Sequence, residues 1–249
     1  MDVTLLILVS IAVLITGISK GGFSGAFGII AVPLISLHVS PIKAAAIMLP
    51  VLCIMDIFTV QKFWKKWDTN AVKQSIPSAI LGIIVGTIMA SWVSEPMLKI
   101  IIGLVALGFV TNTWLAARRL TPKGPLGTLA SGFWCALGGF TSFISHAGGP
   151  PISVFLLRLN LNKTTYVASA ALIFAAINYV KLIPYVWLGQ LDTDLLVYSL
   201  AFAPIAFIGV QIGAWLHYKI NGKLFFKLMY ALLVVTGIKL LWDGGSGLF

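Results

Sequence analysis

Two short stretches carry most of the polar chemistry of an otherwise apolar chain. The first reads Ser19-Lys20-Gly21-Gly22-Phe23-Ser24-Gly25-Ala26-Phe27-Gly28. The second reads Gly138-Gly139-Phe140-Thr141-Ser142-Phe143-Ile144-Ser145-His146-Ala147-Gly148-Gly149-Pro150-Pro151. Glycine breaks helices and reaches positive φ, and Pro150 and Pro151 suit a helix start. Each stretch therefore reads as a turn at which one helix stops and another begins. The restarting helix offers free N–H groups and the positive end of its dipole. Around these turns, Gly21, Gly22, Gly25, Gly148 and Gly149 leave the backbone open, while Ser24, Thr141, Ser142 and Ser145 add hydroxyl donors. Lys20 adds a full charge, and His146 adds a ring that titrates near neutrality. Such a set suits an anion, above all an oxyanion with several acceptor oxygens. The competing reading of the glycines is close helix packing, and it is the preferred one for Gly82, Gly86, Gly209 and Gly213. For His146 the alternative is a satisfied buried histidine, and for Lys20 a helix C-terminal charge in water.

Three more polar residues interrupt apolar runs: Asp56, Asn178 and Lys181. Charges at membrane depth are costly and face a pathway or a partner. Asp56 is short, so it pairs with a lysine or carries a proton. Lys181 either faces the interior or snorkels to the surface. These three are candidates for coupling or gating. Catalysis has no foothold, since no HExxH, GxSxG or Cys/His cluster occurs. Cys53 and Cys135 lie in apolar segments and read as small buried hydrophobes. No metal and no cofactor is expected.

The elements that must position these residues are membrane helices. Of 249 residues, 59% are hydrophobic and 10% charged, with a mean hydropathy of +1.01. Apolar runs at 44–60, 76–93, 98–117, 166–188, 195–216 and 224–242 reach the ~20 residues that cross a bilayer core. A β-barrel would show alternating segments of ~10 residues, and none is present. The formal charge of +10 does not indicate nucleic acid, because the basic residues sit in short loops between apolar runs. The first 19 residues lack a positive n-region and a small-residue cleavage site, so they read as a membrane element rather than a cleaved signal.

The chain also repeats itself. Gly21-Gly22-Phe23 returns as Gly138-Gly139-Phe140, 117 positions on, and Pro33 then falls on Pro150. Pro77, Gly82 and Gly86 return as Pro204, Gly209 and Gly213, 127 positions on, and Asp56 falls near Asn178. Loop charges orient the copies. Lys62, Lys65, Lys66 and Lys73 share one loop, Arg118, Arg119 and Lys123 a second, Arg158 and Lys163 a third, and Lys219, Lys223 and Lys227 a fourth. The positive-inside rule places these loops in the cytoplasm. Segments 1–40 and 124–160 must then each leave and return on one face, and on opposite faces. Each is expected to be a hairpin with arms of about 15–17 residues, roughly 25 Å.

The expected fold is an all-α polytopic membrane protein of two inverted-topology repeats. Each repeat is a broken-helix hairpin plus three transmembrane helices. The first (1–120) holds hairpin 1–40 and helices 44–61, 74–92 and 97–117. The second (124–245) holds hairpin 124–160 and helices 164–187, 195–216 and 224–242. Both termini are expected outside.

These residues resemble the sulfite exporter TauE/SafE family, also called the toluene sulfonate uptake permease family. The likeness rests on Gly21-Gly22-Phe23-Ser24-Gly25 with Pro33, and on Gly138-Gly139-Phe140 with Gly148-Gly149-Pro150-Pro151. It extends over essentially the whole chain. The resemblance implies a secondary carrier of small anions in a bacterial cytoplasmic (inner) membrane, with sulfite, sulfonates or sulfoacetate as substrates. Alternating access between two inverted repeats would move the anion. No Walker motif is present, so the driving force would be a proton or sodium gradient or the substrate gradient itself. The alternatives are an anion-selective channel, with Lys20 and Lys181 setting selectivity, and a carrier of a non-sulfur organic anion. An intramembrane enzyme lacks a motif, and a membrane assembly factor would carry larger soluble loops. A homo-oligomer is left open, and the lipid bilayer is the one obligatory partner.

Overall fold

The computed structural model describes residues 3–25, 28–89, 124–191 and 193–247, with scattered positions between 94 and 111. Most of the expected helix 97–117 and the basic loop after it lie outside the described residues. Within them the chain is helical, without strands.

Helix α1 (Val3–Phe23) is followed by a 3-10 turn (Gly28–Ile30) and the five-residue α2 (Ala31–Ile35). Then come α3 (Pro41–Lys62) and α4 (Thr69–Met89). The second half opens with α5 (Thr128–Ser145) and α6 (Gly149–Leu157), followed by α7 (Lys163–Trp187). The expected helix 195–216 is two helices, α8 (Thr193–Leu200) and α9 (Ala203–Lys219), bent by 47°. Pro204 sits in the first turn of α9, where its missing N–H costs nothing. Helix α10 (Gly222–Ser246) closes the chain.

Side chains fix several of these starts. Ser40 caps α3 by accepting from the Lys43 N–H at 3.3 Å, with Pro41 next in line. Asn162 caps α7 by accepting from Thr164 and Thr165 at 3.1 and 3.0 Å. Asn221 caps α10 by accepting from Leu224 at 2.8 Å. Lys163 closes the end of α9, donating to the carbonyls of His217 and Ile220. Lysine suits that place because a helix C-terminus carries free carbonyls and negative dipole.

Helices α1, α3, α4 and α7 are long and apolar enough to cross a membrane, and the bent pair α8–α9 gives a fifth such span. The molecule is a multi-pass membrane protein. Its polarity is that of a solute in lipid: Ile88, Ile183 and Leu129 are exposed, while Lys20, Asp56, Asn178 and Lys181 are buried. The returning arms of the hairpins are shorter than the sequence suggests. The nine residues of α6 span about 14 Å, well under the ~30 Å of a hydrocarbon core, and α2 is shorter still.

Two helix pairs dominate the packing, and each joins the two halves: α1 lies along α9, and α4 along α5. Glycines set both contacts. A Cβ on Gly17 would stand 3.1 Å from the Ala206 carbonyl oxygen, and one on Gly139 would stand 1.9 Å from that of Ala79. A Cβ on Gly209 would meet the Leu14 carbonyl oxygen at 2.9 Å, and one on Gly82 that of Ala136 at 1.9 Å. Gly17 and Gly139, and Leu14 and Ala136, are 122 positions apart, whereas Ala79 and Ala206, and Gly82 and Gly209, are 127 apart. The contacts therefore set a register five residues away from the one that Gly-Gly-Phe suggests. The same offset of 122 relates the caps Ser40 and Asn162, and it relates Asp56 to Asn178. The preferred packing role of Gly82, Gly86, Gly209 and Gly213 agrees with these clearances.

Candidate functional site

The helix breaks are shorter and later than the sequence suggests, and they are built alike. Helix α1 runs through Gly21 and Gly22 to Phe23 before Ser24 turns left-handed at φ 50°, with Gly25 following at φ 80°. Helix α5 runs through Gly138 and Gly139 to Ser145 before His146 turns left-handed at φ 52°. Each break closes on a bond six residues back: Gly25 N–H to the Ser19 carbonyl at 3.1 Å, and Ala147 N–H to the Thr141 carbonyl at 3.2 Å. Ser24 and His146 are again 122 apart. The left-handed conformation costs about 1–2 kcal/mol outside glycine, so other contacts must hold both residues there.

The two breaks meet. A Cβ on Gly149 would lie 3.6 Å from the Gly25 carbonyl oxygen, and one on Gly25 would lie 4.0 Å from the ring of Phe174. Between them is a cavity of about 40 Å³. On a scale where one water takes ~10–15 Å³, it accepts a few waters or a four-atom oxyanion. Lys20, Gly25 and Gly28 line it from the first break, and Ser142, His146 and Gly149 from the second. Met48 and Leu52 of α3 and Phe174 and Asn178 of α7 also line it. Leu52 and Phe174 also stand 122 apart, so the halves contribute matching positions.

Behind the wall are two cation sites. The Lys20 ammonium is ion-paired with Asp56 Oδ1 and donates to the Leu52 carbonyl at 3.4 Å. Asn178 Nδ2 donates to Asp56 Oδ2 at 2.6 Å. Both oxygens of this carboxylate are thus engaged at 1% exposure. Lys181 is fully buried and does not snorkel. Its ammonium donates to the Ser142 carbonyl at 2.9 Å, to Ser142 Oγ at 3.1 Å and to His146 Nδ1 at 2.7 Å. His146 Nε2 faces the Ala45 carbonyl at 3.0 Å. A carbonyl only accepts, so Nε2 carries the hydrogen, and Nδ1 is free to accept from Lys181. Those two bonds hold His146 in its left-handed conformation. No carboxylate lies within ion-pair reach of Lys181 among the described residues.

Not every residue of the two polar stretches faces the cavity. Gly21 and Gly22 pack on α9, where a Cβ would stand 2.2 Å from the Val210 and 2.4 Å from the Gly213 carbonyl oxygen. A Cβ on Gly148 would meet the Gly138 carbonyl at 2.6 Å. Thr141 Oγ1 donates to the carbonyls of Gly138 and Ala147, and Ser145 Oγ to that of Thr141. These hydroxyls stabilise the broken backbone. Ser24 lies near the Tyr166 hydroxyl, away from the cavity.

One lining residue escapes a reading of the sequence. Thr16 is 1% exposed, faces the cavity, and its Oγ1 has no hydrogen-bond partner among the described residues. It stands four residues before Lys20, on the same face of α1. A buried hydroxyl costs free energy until something bonds to it, and the cavity is where that something can sit. The signal in the sequence was there: a threonine one turn from the one lysine of an apolar helix.

The family model for "Sulfite exporter TauE/SafE" matches residues 9–240, a span that includes both breaks and every residue of the cavity. No curated protein and no solved structure matches the chain.

Proposed function

The chain belongs to the sulfite exporter TauE/SafE family, and from that premise we propose that it is a secondary carrier of small sulfur oxyanions or organosulfonates which binds its solute between the two helix breaks. One observation carries the reading. Two interruptions of the backbone, from opposite halves, share one cavity with Lys20, Thr16, Ser142 and His146 on its walls, backed by a buried ammonium with only neutral acceptors. Irregular backbone at membrane depth persists only inside protein or beside an aqueous cavity. A buried cation without a carboxylate favours an anion nearby.

The paired packing of α1 on α9 and of α4 on α5 supports two structurally related halves, and the loop charges support their inverted insertion with both termini outside the cytoplasm of a bacterial inner membrane. Rocking of one half against the other would then present the cavity to each side in turn. The glycine contacts suit such sliding, because backbones meet there without interlocked side chains.

Purified protein in liposomes preloaded with unlabelled sulfite should take up labelled sulfite by saturable counterflow. Thiosulfate, methanesulfonate and sulfate compete to the extent that they are substrates. Absence of counterflow with all four anions contradicts the reading, and single-channel currents in place of counterflow would make the protein a channel.

A further inference from the structure

Asp56 is the one fully buried carboxylate among the described residues, and it holds the cation that faces the anion cavity. On the reading of the cavity as an anion site, we infer that Asp56 is the binding site of a coupling proton, so that protonation of its carboxylate releases Lys20 to the transported anion.

Charge conservation within a buried site carries the inference. In the empty site, Lys20 and Asp56 neutralise one another. If a monovalent anion enters alone, the net charge of the site changes by one on loading, so the empty and loaded states cannot both cross the region of low dielectric at the same cost. If a proton enters as well, it forms the O–H of Asp56, and the ammonium of Lys20 turns from a carboxylate to an anion oxygen. One proton and one anion are taken from the same side and released together on the other, and nothing is oxidised or reduced. The site then has the same net charge empty and loaded, so either state can reorient. The Leu52 carbonyl, which Lys20 already contacts at 3.4 Å, lies one turn back on the same helix as an acceptor for the new O–H. Asn178 keeps its bond to Oδ2 in both states.

The groups around Asp56 fit a proton better than a metal cation. Both carboxylate oxygens face N–H donors, whereas sodium would need a shell of oxygens. Lys20 faces it from α1; from α7 come Asn178, Lys181 and Tyr179, and from its own helix Cys53. Helix α8, also packed on α3, brings Asp194 and Tyr198, and α2 brings no titratable residue. Helix α9 meets α3 at Phe58 and Phe63, where it brings Phe207, His217 and Tyr218.

The test compares wild-type and Asp56→Asn protein in liposomes, measuring both sulfite counterflow and sulfite accumulation driven by an imposed pH gradient. Relative to wild type, gradient-driven accumulation should fall about tenfold further in the variant than counterflow does. Wild-type counterflow without pH-driven accumulation, accumulation driven by sodium instead, or an Asp56→Asn protein that still accumulates sulfite with the pH gradient would each overturn the inference. Failure of wild-type counterflow would instead remove the anion-carrier reading beneath it. If the variant does not fold, wild type alone decides. A gradient of methanesulfonate, a monoanion that carries no proton at neutral pH, should pull protons into liposomes containing a pH-sensitive dye. Methanesulfonate entry with no acidification would overturn the proposal.

Discussion

At the first helix break, Lys20 reaches a carboxylate; at the second, Lys181 reaches a carbonyl, a hydroxyl and an imidazole. The backbone around them is matched, with a left-handed residue at Ser24 and at His146 and a closing bond six residues back in each. What differs is the compensation of charge. The first half pairs its lysine with a carboxylate, and the second surrounds its lysine with neutral acceptors alone. Two breaks of matching backbone thus place two differently compensated lysines about one cavity.

The contrast predicts opposite behaviour on removal of each lysine, and this is the largest effect. Lys20→Ala strands a buried carboxylate and should destabilise the protein by about 3–5 kcal/mol; adding Asp56→Asn should recover most of the loss. Lys181→Met strands only neutral acceptors and should cost about 1–3 kcal/mol, yet it should abolish anion binding. Unfolding midpoints in detergent check both, and equal losses for the two single variants would erase the distinction.

Helix packing sharpens the comparison next. The contacts of Gly82 and Gly139 leave 1.9 Å for a Cβ, against 2.9–3.1 Å for the carbonyl contacts of their counterparts Gly209 and Gly17. Alanine at Gly82 or Gly139 forces backbones apart and should cost roughly 2–3 kcal/mol, while alanine at Gly17 or Gly209 should cost about 1 kcal/mol. The ordering of the four unfolding midpoints is the check.

The smallest effects lie at the left-handed residues. Ser24→Gly removes a steric penalty and should stabilise by up to about 1 kcal/mol. His146→Gly gains the same relief but loses both ring hydrogen bonds, so it should destabilise by about 1 kcal/mol net. If both stabilise alike, His146 does not position Lys181. Orientation has a yes-or-no readout: a reporter fused after Phe249 should be active on the periplasmic side, and cytoplasmic activity would reverse the insertion of both halves.

Much of this was legible in the sequence because lipid imposes strong patterns. Helix α3 was expected at 44–61 and runs Pro41–Lys62, and α7 was expected at 164–187 and runs Lys163–Trp187. The polar residues of both breaks stood out against apolar surroundings, and Lys20, Gly25, Ser142, His146, Gly149 and Asn178 do line one cavity. The register of the repeat was not legible. Gly-Gly-Phe matches letter for letter, but backbone contact depends on which glycine faces which carbonyl, and those partners lie in the other half of the chain. The same cause hid the packing role of Gly21 and Gly22. A glycine that admits a neighbouring backbone and one that admits a solute are the same residue until the neighbour is known. Pro204 was a fair warning of the α8–α9 bend, since proline has no N–H for the carbonyl four residues back, that of Leu200, where α8 ends.

The most direct test is calorimetric titration of sulfite into purified wild-type protein and into a folded Lys181→Met variant. The account predicts saturable binding in wild type and its loss in the variant, because the buried Lys181 lies behind the second break on Ser142 and His146, which line the cavity. Equal affinity in the two proteins would contradict it.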